Sequence, residues 1–375
     1  MTRWGRWWPA MVVLVALCAS AALPACDRKQ PLRVGFFATL SGRGADLGIA
    51  GRNGAMLAIE EANAAGGVHG RTIELLVRDA TPDQEVRTQV FSSLLGQGVV
   101  AVIGPMTSAN AMLVVPLADA AQIPLISPTV TTADLTGLDD FFFRVVADVG
   151  NSAVRNARFH AQSLGYRRGV VVYDTANRAY SESYLRAFRA EFAELGGQLA
   201  AERAFNSAVE QAFSPMVGEL LALRPEFILI IASAVDAAQI CQQIRKVDPQ
   251  MPIAMTDWGS TERFIELAGK AAEEVVVAQF FNREDTSPVY QAFHRAYRQR
   301  FDQEPGFAGL AGYDAARVLL KALEHQEPGQ PLKAALLTAG PYQGAQQSFR
   351  FDRFGDSDRA TVLSVIRQGR YQMLE

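Results

Sequence analysis

The chain has 375 residues, with 36 lysines and arginines against 39 acids and a formal net charge of −3. A mildly acidic chain without a basic tract argues against nucleic acid as a partner. The length exceeds what one compact core fills and suits two domains.

Arg3 and Arg6 precede an apolar run, Met11 to Leu17, and small residues lead to Leu23-Pro24-Ala25-Cys26. Basic, apolar and small segments in that order describe a secretory signal peptide over residues 1–25, its apolar centre too short for a membrane span. A Cys directly after Leu-Pro-Ala resembles the lipobox of bacterial lipoproteins, in which that Cys is diacylated and becomes the mature N-terminus. The resemblance implies lipidation at Cys26 and a place at the periplasmic face of the cell membrane. The alternative is an ordinary cleavage site with an incidental Cys. Asp27 resembles the inner-membrane retention signal of enterobacterial lipoproteins. Cys18 leaves with the signal, so Cys241 lacks a partner and reads as a small apolar core residue. Beyond the leader no apolar run is long enough to span a membrane, so the body is expected to be tethered by lipid alone.

After a short polar tether, residues 26–30, Leu32 to Ala38 reads as a buried strand. Ser41 to Gly48 is a glycine-rich loop, and Gly51 to Ala65 an amphipathic helix ending at Gly66-Gly67. Gly42, Gly44 and Gly48 follow a strand and open a helix as a dinucleotide fingerprint does, but the spacing GxGxxxG is one residue too long. A loop bordering a cleft, with Arg43 in it, is the better reading. Thr72 to Arg78 is the next strand, and a helix runs from about Pro82 to Leu95.

Val99 to Ile103 is then a strand buried on both faces, stopped by Gly104-Pro105. Thr107 or Ser108 caps a helix whose apolar positions, Met112, Val115, Leu117 and Ala118, recur at helical spacing. Pro124 to Ile126 starts another strand, which Ser127-Pro128 breaks into the loop Thr129 to Thr132. Two loops rich in hydroxyls and free N–H groups thus leave the carboxyl ends of consecutive parallel strands, where open α/β sheets bind ligands. No nucleophile stands beside a base there. The stretch reads as a binding site.

Phe142 to Val146 reads as a crossing between domains, and a second strand–helix series follows. Its helices fall at Ser152–Leu164, Ser181–Leu195, Phe213–Leu223, Ala237–Val247 and Phe264–Leu267. Its strands fall at Gly169–Tyr173, Leu199–Phe205, Phe227–Ile231 and Pro252–Met255. Glu274 to Phe281 looks like the crossing back. Helices at Ser287–Phe301, Ala308–Leu323 and Pro331–Ala339 lead to a terminal hairpin, Gln347–Asp352 and Thr361–Gln368 around the turn 353–356. Strand alternating with helix predicts doubly wound parallel sheets.

The order of these pieces resembles a family, the type I periplasmic binding proteins, in their branched-chain amino-acid (Leu/Ile/Val)-binding branch of ABC-importer receptors. The residues that carry it are RVGFFATLSGRGADLG, NGAMLAIEEANAAGGVHGRTIELLVRD, AVIGPMTSANAMLVVPLADAAQIPLISPTVT, VVVYDTANRAYSESYLRAF and SFRFDRFGD, in that order over the mature chain. The resemblance implies an α/β fold of two doubly wound parallel-sheet lobes joined by three crossings, closing on a ligand. Lobe 1 is then residues 31–144 plus 281–343, and lobe 2 residues 145–280 plus 344–375, with the third crossing near 340–347. The implied function is delivery of an amino acid or related small polar solute to an ABC permease in the membrane.

Carried over residue by residue, Ser108 matches the hydroxyl that binds the ligand carboxylate. Thr131 matches the threonine contacting the amino-acid head group, and Thr129 the residue whose carbonyl receives the ammonium. A carboxylate held by hydroxyls and N–H groups at a helix N-terminus is also sound physics; plain helix capping is the competing role. Tyr180 falls near the family's cleft tyrosine, but six residues after Asp174 where relatives use four. A second cleft tyrosine is missing, and Ser233 and Ala234 stand there. The acidic partner of the ammonium falls at Asp257 or Trp258, depending on alignment; at Trp258 an aromatic face would attract the cation instead. Ligand identity does not carry over.

Two rival classes stand beside this. A periplasmic sensor or regulatory lipoprotein can use the same fold. An enzyme on a Rossmann-like fold would need a motif that the chain lacks: it has no GxSxG, no P-loop and no HExxH. His69, His160, His294 and His325 lie far apart, and Asp352, Asp356 and Asp358 lack the rest of a calcium loop. No metal or cofactor is expected.

Overall fold

The computed structural model describes residue 1, residues 29–209 and residues 212–374. Cys26 and the signal segment that precedes it from residue 2 lie outside the described residues. The first half alternates β1 (Leu32–Ala38), α1 (Ala45–Ala64), β2 (Ile73–Asp79), α2 (Gln84–Leu95), β3 (Ala101–Ile103), α3 (Ser108–Ala121), β4 (Leu125–Ser127) and β5 (Phe142–Arg144). All five strands are parallel, in the order β2-β1-β3-β4-β5. Successive side chains of β1 point to opposite faces. Phe36 therefore packs in one core with Ile103 and Leu319, and Phe37 in the other with Phe91 and Val114.

The second series begins with α4 (Val149–Arg158), which runs into a π-helical turn, Phe159–Ser163. It continues with β6 (Arg168–Asp174), α5 (Arg178–Glu194), β7 (Gln198–Phe205), α6 (Phe213–Ala222), β8 (Phe227–Ile231), α7 (Ala234–Val247), β9 (Ile253–Thr256), α8 (Glu262–Ala268) and β10 (Val275–Gln279). Every residue of β8, Phe-Ile-Leu-Ile-Ile, is buried, as a parallel strand covered on both faces must be. The chain then returns through α9 (Pro288–Phe301), α10 (Gly306–His325), α11 (Leu332–Thr338), β11 (Tyr342–Gln343) and β12 (Ser348–Phe349) before β13 (Val362–Arg367) and β14 (Arg370–Met373). The second sheet runs β14-β13-β10-β9-β8-β6-β7, its last two strands by sequence antiparallel.

In the first lobe α1 and α10 pack backbone to backbone. A Cβ at Gly54 would lie 1.9 Å from the Gly309 carbonyl oxygen, and one at Gly312 would lie 2.1 Å from that of Gly51. Gly312→Ala should therefore lower stability by about 1–3 kcal/mol through overpacking, read as the urea midpoint. Helix propensity alone would raise it by up to ~1 kcal/mol, so the sign separates the two effects.

Three expectations need correction. The glycine-rich loop is shorter than its composition suggested, because α1 begins at Ala45 and takes Gly48 inside it, where a Cβ would meet the Thr39 carbonyl oxygen at 1.9 Å. The terminal hairpin is not 347–352 with 361–368. Ser348–Phe349 pairs with Tyr342–Gln343, while Val362–Arg367 pairs with Arg370–Met373 around Gln368-Gly369. Those two residues have φ of 53° and 67°, as a two-residue I′ turn requires. The third crossing, expected near 340–347, lies at about 360–361. Phe351 packs against the first lobe's core, tilted on Tyr342 at 5.2 Å and edge to face with Phe349 and Phe143 at 6.0 and 5.4 Å. The Asp356 carboxylate pairs at 2.6 Å with buried Arg144 at the end of β5, holding the 353–356 turn there.

Candidate binding site

Both sheets change strand order where the first strand of each lobe meets its third, β1/β3 and β6/β8, and in open α/β sheets the crevice at such a point takes the ligand. Here the two crevices face each other. Leu47, Met106, Thr107, Ser108, Thr129 and Phe307 of the first lobe enclose a small space with Asn177, Tyr180, Asp257 and Trp258 of the second. Its volume is about 20 Å³, little more than the ~10–15 Å³ that a single water needs. The space as it stands is too small for an amino acid.

The first-lobe wall is the start of α3. Ser108 is its first residue, 2% exposed, and its Oγ accepts from the Thr132 N–H at 3.3 Å. The next N–H, of Ala109, donates across the cleft to Asn177 Oδ1 at 2.9 Å. First-turn N–H groups and the helix dipole make this end attractive to an anion. Thr129 Oγ1 donates to the Met106 carbonyl at 2.6 Å, which ties the β4 loop to the β3 loop. Thr131 does not reach the wall. Its carbonyl accepts from the Val149 N–H at 2.7 Å and its hydroxyl is buried without a partner, because the loop is anchored there to the first crossing.

In the second lobe the longer β6–α5 loop still delivers Tyr180. Its hydroxyl donates to Asp257 Oδ1, which also accepts the Trp258 N–H at 3.1 Å. Asp257 Oδ2 accepts from no described group and is not among the sealed polar atoms. Burial pushes the Asp257 carboxyl up to about 6, the bonds from Tyr180 and Trp258 pulling the other way. Burial, with Asp257 beside it, pushes the Tyr180 hydroxyl well above its usual range. Trp258 meets Tyr180 edge to face at 5.7 Å and packs against the cores of both lobes. The sequence left Asp257 and Trp258 as alternatives; the structure puts both in the wall.

Further contacts hold the lobes together. Arg43 bonds Asp236 at 2.5 Å, Thr261 donates to Asp46 at 2.6 Å, and Ser183 accepts the Ala133 N–H at 3.0 Å. Ser233 donates to Asp236 Oδ2 at 2.7 Å and so orients the carboxylate toward Arg43. Asp236 is 2% exposed but Arg43 50%, so about 1 kcal/mol is a fair value for the pair. Arg43→Ala should shift the lobes about fivefold toward the open form, visible as a larger radius of gyration in small-angle X-ray scattering. Added salt should act in the same direction.

Four wall residues escaped sequence reasoning: Leu47, Met106, Asn177 and Phe307. Asn177 carried a signal, since it lies in the stretch that sets Tyr180 six residues after Asp174. Phe307 carried none, because only the fold brings the start of α10 to the cleft. Among the described residues no helix is long and apolar enough to cross a membrane, and no three His, Cys, Asp or Glu side chains gather as a metal site.

Comparison with known proteins agrees with this architecture. The leucine-, isoleucine-, valine-, threonine- and alanine-binding protein of Pseudomonas aeruginosa is 20% identical over 327 residues, 87% of each chain. The Leu/Ile/Val-binding protein of Escherichia coli is 22% identical over 92% of each. A leucine-binding protein of Thermotoga maritima superposes with a TM-score of 0.83 at 24% identity, over 92% of this chain and 98% of that one. A solute-binding protein of R. palustris in complex with benzoate superposes equally well, 0.83 at 18% identity over 92% and 95%. These two structures share the fold. The family described as periplasmic binding protein matches residues 31–365. That match spans both lobes and the crossings between them: the chain belongs to the periplasmic binding protein family.

Proposed function

We propose that this chain is an extracytoplasmic receptor that closes over an amino acid or related small polar solute and presents it to an ABC permease. The observation that carries the reading is the enclosed space whose polar groups come from both lobes, Ser108 and the α3 N-terminus on one side and Asp257 on the other. An α-ammonium group fits the free Asp257 Oδ2. A carboxylate fits the Ser108 hydroxyl and the Ala109 N–H, which Asn177 releases as the lobes part. Leu47, Met106, Trp258 and Phe307 would surround the remainder of the ligand, which favours an apolar side chain. Closure removes water, so these polar contacts act at low dielectric. The relatives' names, which refer to branched-chain and other small amino acids, support this class of solute. The Leu-Pro-Ala-Cys sequence supports a lipid anchor on Cys26.

One preparation tests both parts. The full chain made in a Gram-negative host should sediment with membranes and be released by detergent. Calorimetric titration of that protein against amino acids, their amides and aromatic acids should then find micromolar binding, about −8 kcal/mol. Silence across the panel removes the transport reading. Recovery in the soluble fraction removes the anchor.

A further inference from the structure

A second cavity, of about 640 Å³, opens at the amino ends of β9 and β10, the end of the second sheet opposite the cleft. Small-molecule sites occupy roughly 300–1,000 Å³. Phe159, Leu164, Tyr166, Val276, Val365 and Leu374 make its walls apolar. Its acids are already committed. Glu273 accepts the Gln368 and Gly369 N–H groups at 2.9 and 2.8 Å, and Glu274 pairs with Arg367 at 2.9 Å.

Its other cations make no ion pair among the described residues. The half-buried Arg245 guanidinium donates to the main-chain carbonyls of Met251 and Glu273 and has no carboxylate partner among the described residues. Lys270, on the exposed rim, makes no ion pair with any of them. Asp248 and Glu274 lie near Arg245 without forming an ion pair with it, and two cations with no direct ion pair beside an apolar space favour an anion that carries an apolar body.

His160 adds a directional group. It is 1% exposed, lines the cavity and is carried by the π-helical turn, a wider turn frequent at functional sites. Nδ1 lies 2.9 Å from the Asn156 carbonyl oxygen, which can only accept, so Nδ1 holds the proton. Burial drives its pKa down to about 4, and the ring is neutral at physiological pH. Nε2 is then an acceptor. It bonds to no described group, and it is not among the unpaired polar atoms sealed from solvent, so the accessible sliver of His160 includes it.

We propose that this cavity is a second ligand site, separate from the cleft, for a small aromatic carboxylate bearing a hydroxyl or N–H group. The ring fills the apolar space, the carboxylate meets Arg245 and Lys270, and the hydroxyl or N–H donates to His160 Nε2.

Calorimetric titration of the mature chain with 4-hydroxyphenylacetate tests it. Binding should persist when the cleft is disabled by Asp257→Ala, and Lys270→Glu should weaken it by about tenfold or more. The methyl analogue, 4-methylphenylacetate, leaves the buried acceptor unpaired and should bind about tenfold more weakly. His160→Phe keeps a ring in the Phe159–Tyr166–Phe227 cluster and should erase the difference between the two probes. Absence of binding overturns the proposal. So does binding that Asp257→Ala abolishes while Lys270→Glu leaves it intact.

Discussion

Asp257→Ala is expected to weaken the tightest-binding amino acid by about 150- to 5,000-fold in calorimetric titration. The size follows from what is removed: a carboxylate 8% exposed, set to face an ammonium group in a closed cleft. Taking away one partner of a buried pair costs about 3–5 kcal/mol, because the other charge is left uncompensated. Asp257→Asn keeps an acceptor for the Tyr180 hydroxyl while losing the charge, so it should fall in the same direction by less. The pH dependence carries a definite sign. The free carboxyl titrates at about 6, so the form that holds an ammonium group prevails above pH 6 and disappears below it. Affinity should fall about tenfold between pH 7 and pH 5, and Asp257→Asn should flatten that slope. A flat profile in the native protein, with Asp257→Ala within threefold of it, would remove Asp257 from the site.

Asp314→Ala should lower stability by about 3–5 kcal/mol, read as the urea midpoint. Asp314, in α10, is 0% exposed and Arg359 1%. One guanidinium nitrogen of Arg359 bonds the Asp314 carboxylate, and the other two have no hydrogen-bond partner. The guanidinium instead lies over the rings of Phe349 and Phe280 at 4.7 and 5.5 Å. Asp314 is therefore its one full counter-charge among the described residues, and it also takes the Ala345 N–H at 2.7 Å. Arg359→Met in the Asp314→Ala background should recover much of the loss, since an apolar chain among those rings needs no counter-charge. If the double variant is no better than the single, the cost lies in the Ala345 bond. Arg359 directly precedes the third crossing, so the pair also fastens the hinge to the first lobe.

The rhythm of strands and helices was legible because parallel strands advertise themselves. A segment such as Phe227–Ile231 has no polar residue to confuse, and it is a strand over that very range. The resemblance to solute receptors is borne out by the family match. The first-lobe loops were legible too, because hydroxyls at 107, 108 and 129 follow strand-ending Gly104-Pro105 and Ser127-Pro128. Pairings made by rings from distant segments were not legible. Nothing local told Phe349 to seek Tyr342 and not the strand at 362–367, and nothing local brought Phe307 to Met106. Thr131 failed for a subtler reason. In a loop of alternating direction, one residue can face the cleft while its near neighbour is tied to the crossing behind it.

Trp258, wedged between both cores and against Tyr180, has an optical consequence. The sequence contains four tryptophans, and the other three, Trp4, Trp7 and Trp8, fall in the segment expected to be a leader. A chain made to begin at Cys26 therefore carries a single indole, at the seam where the lobes meet. Its emission should shift to the red as the lobes part and back to the blue as a solute draws them shut. Opening and closing could then be followed in real time by stopped-flow fluorescence, without a label.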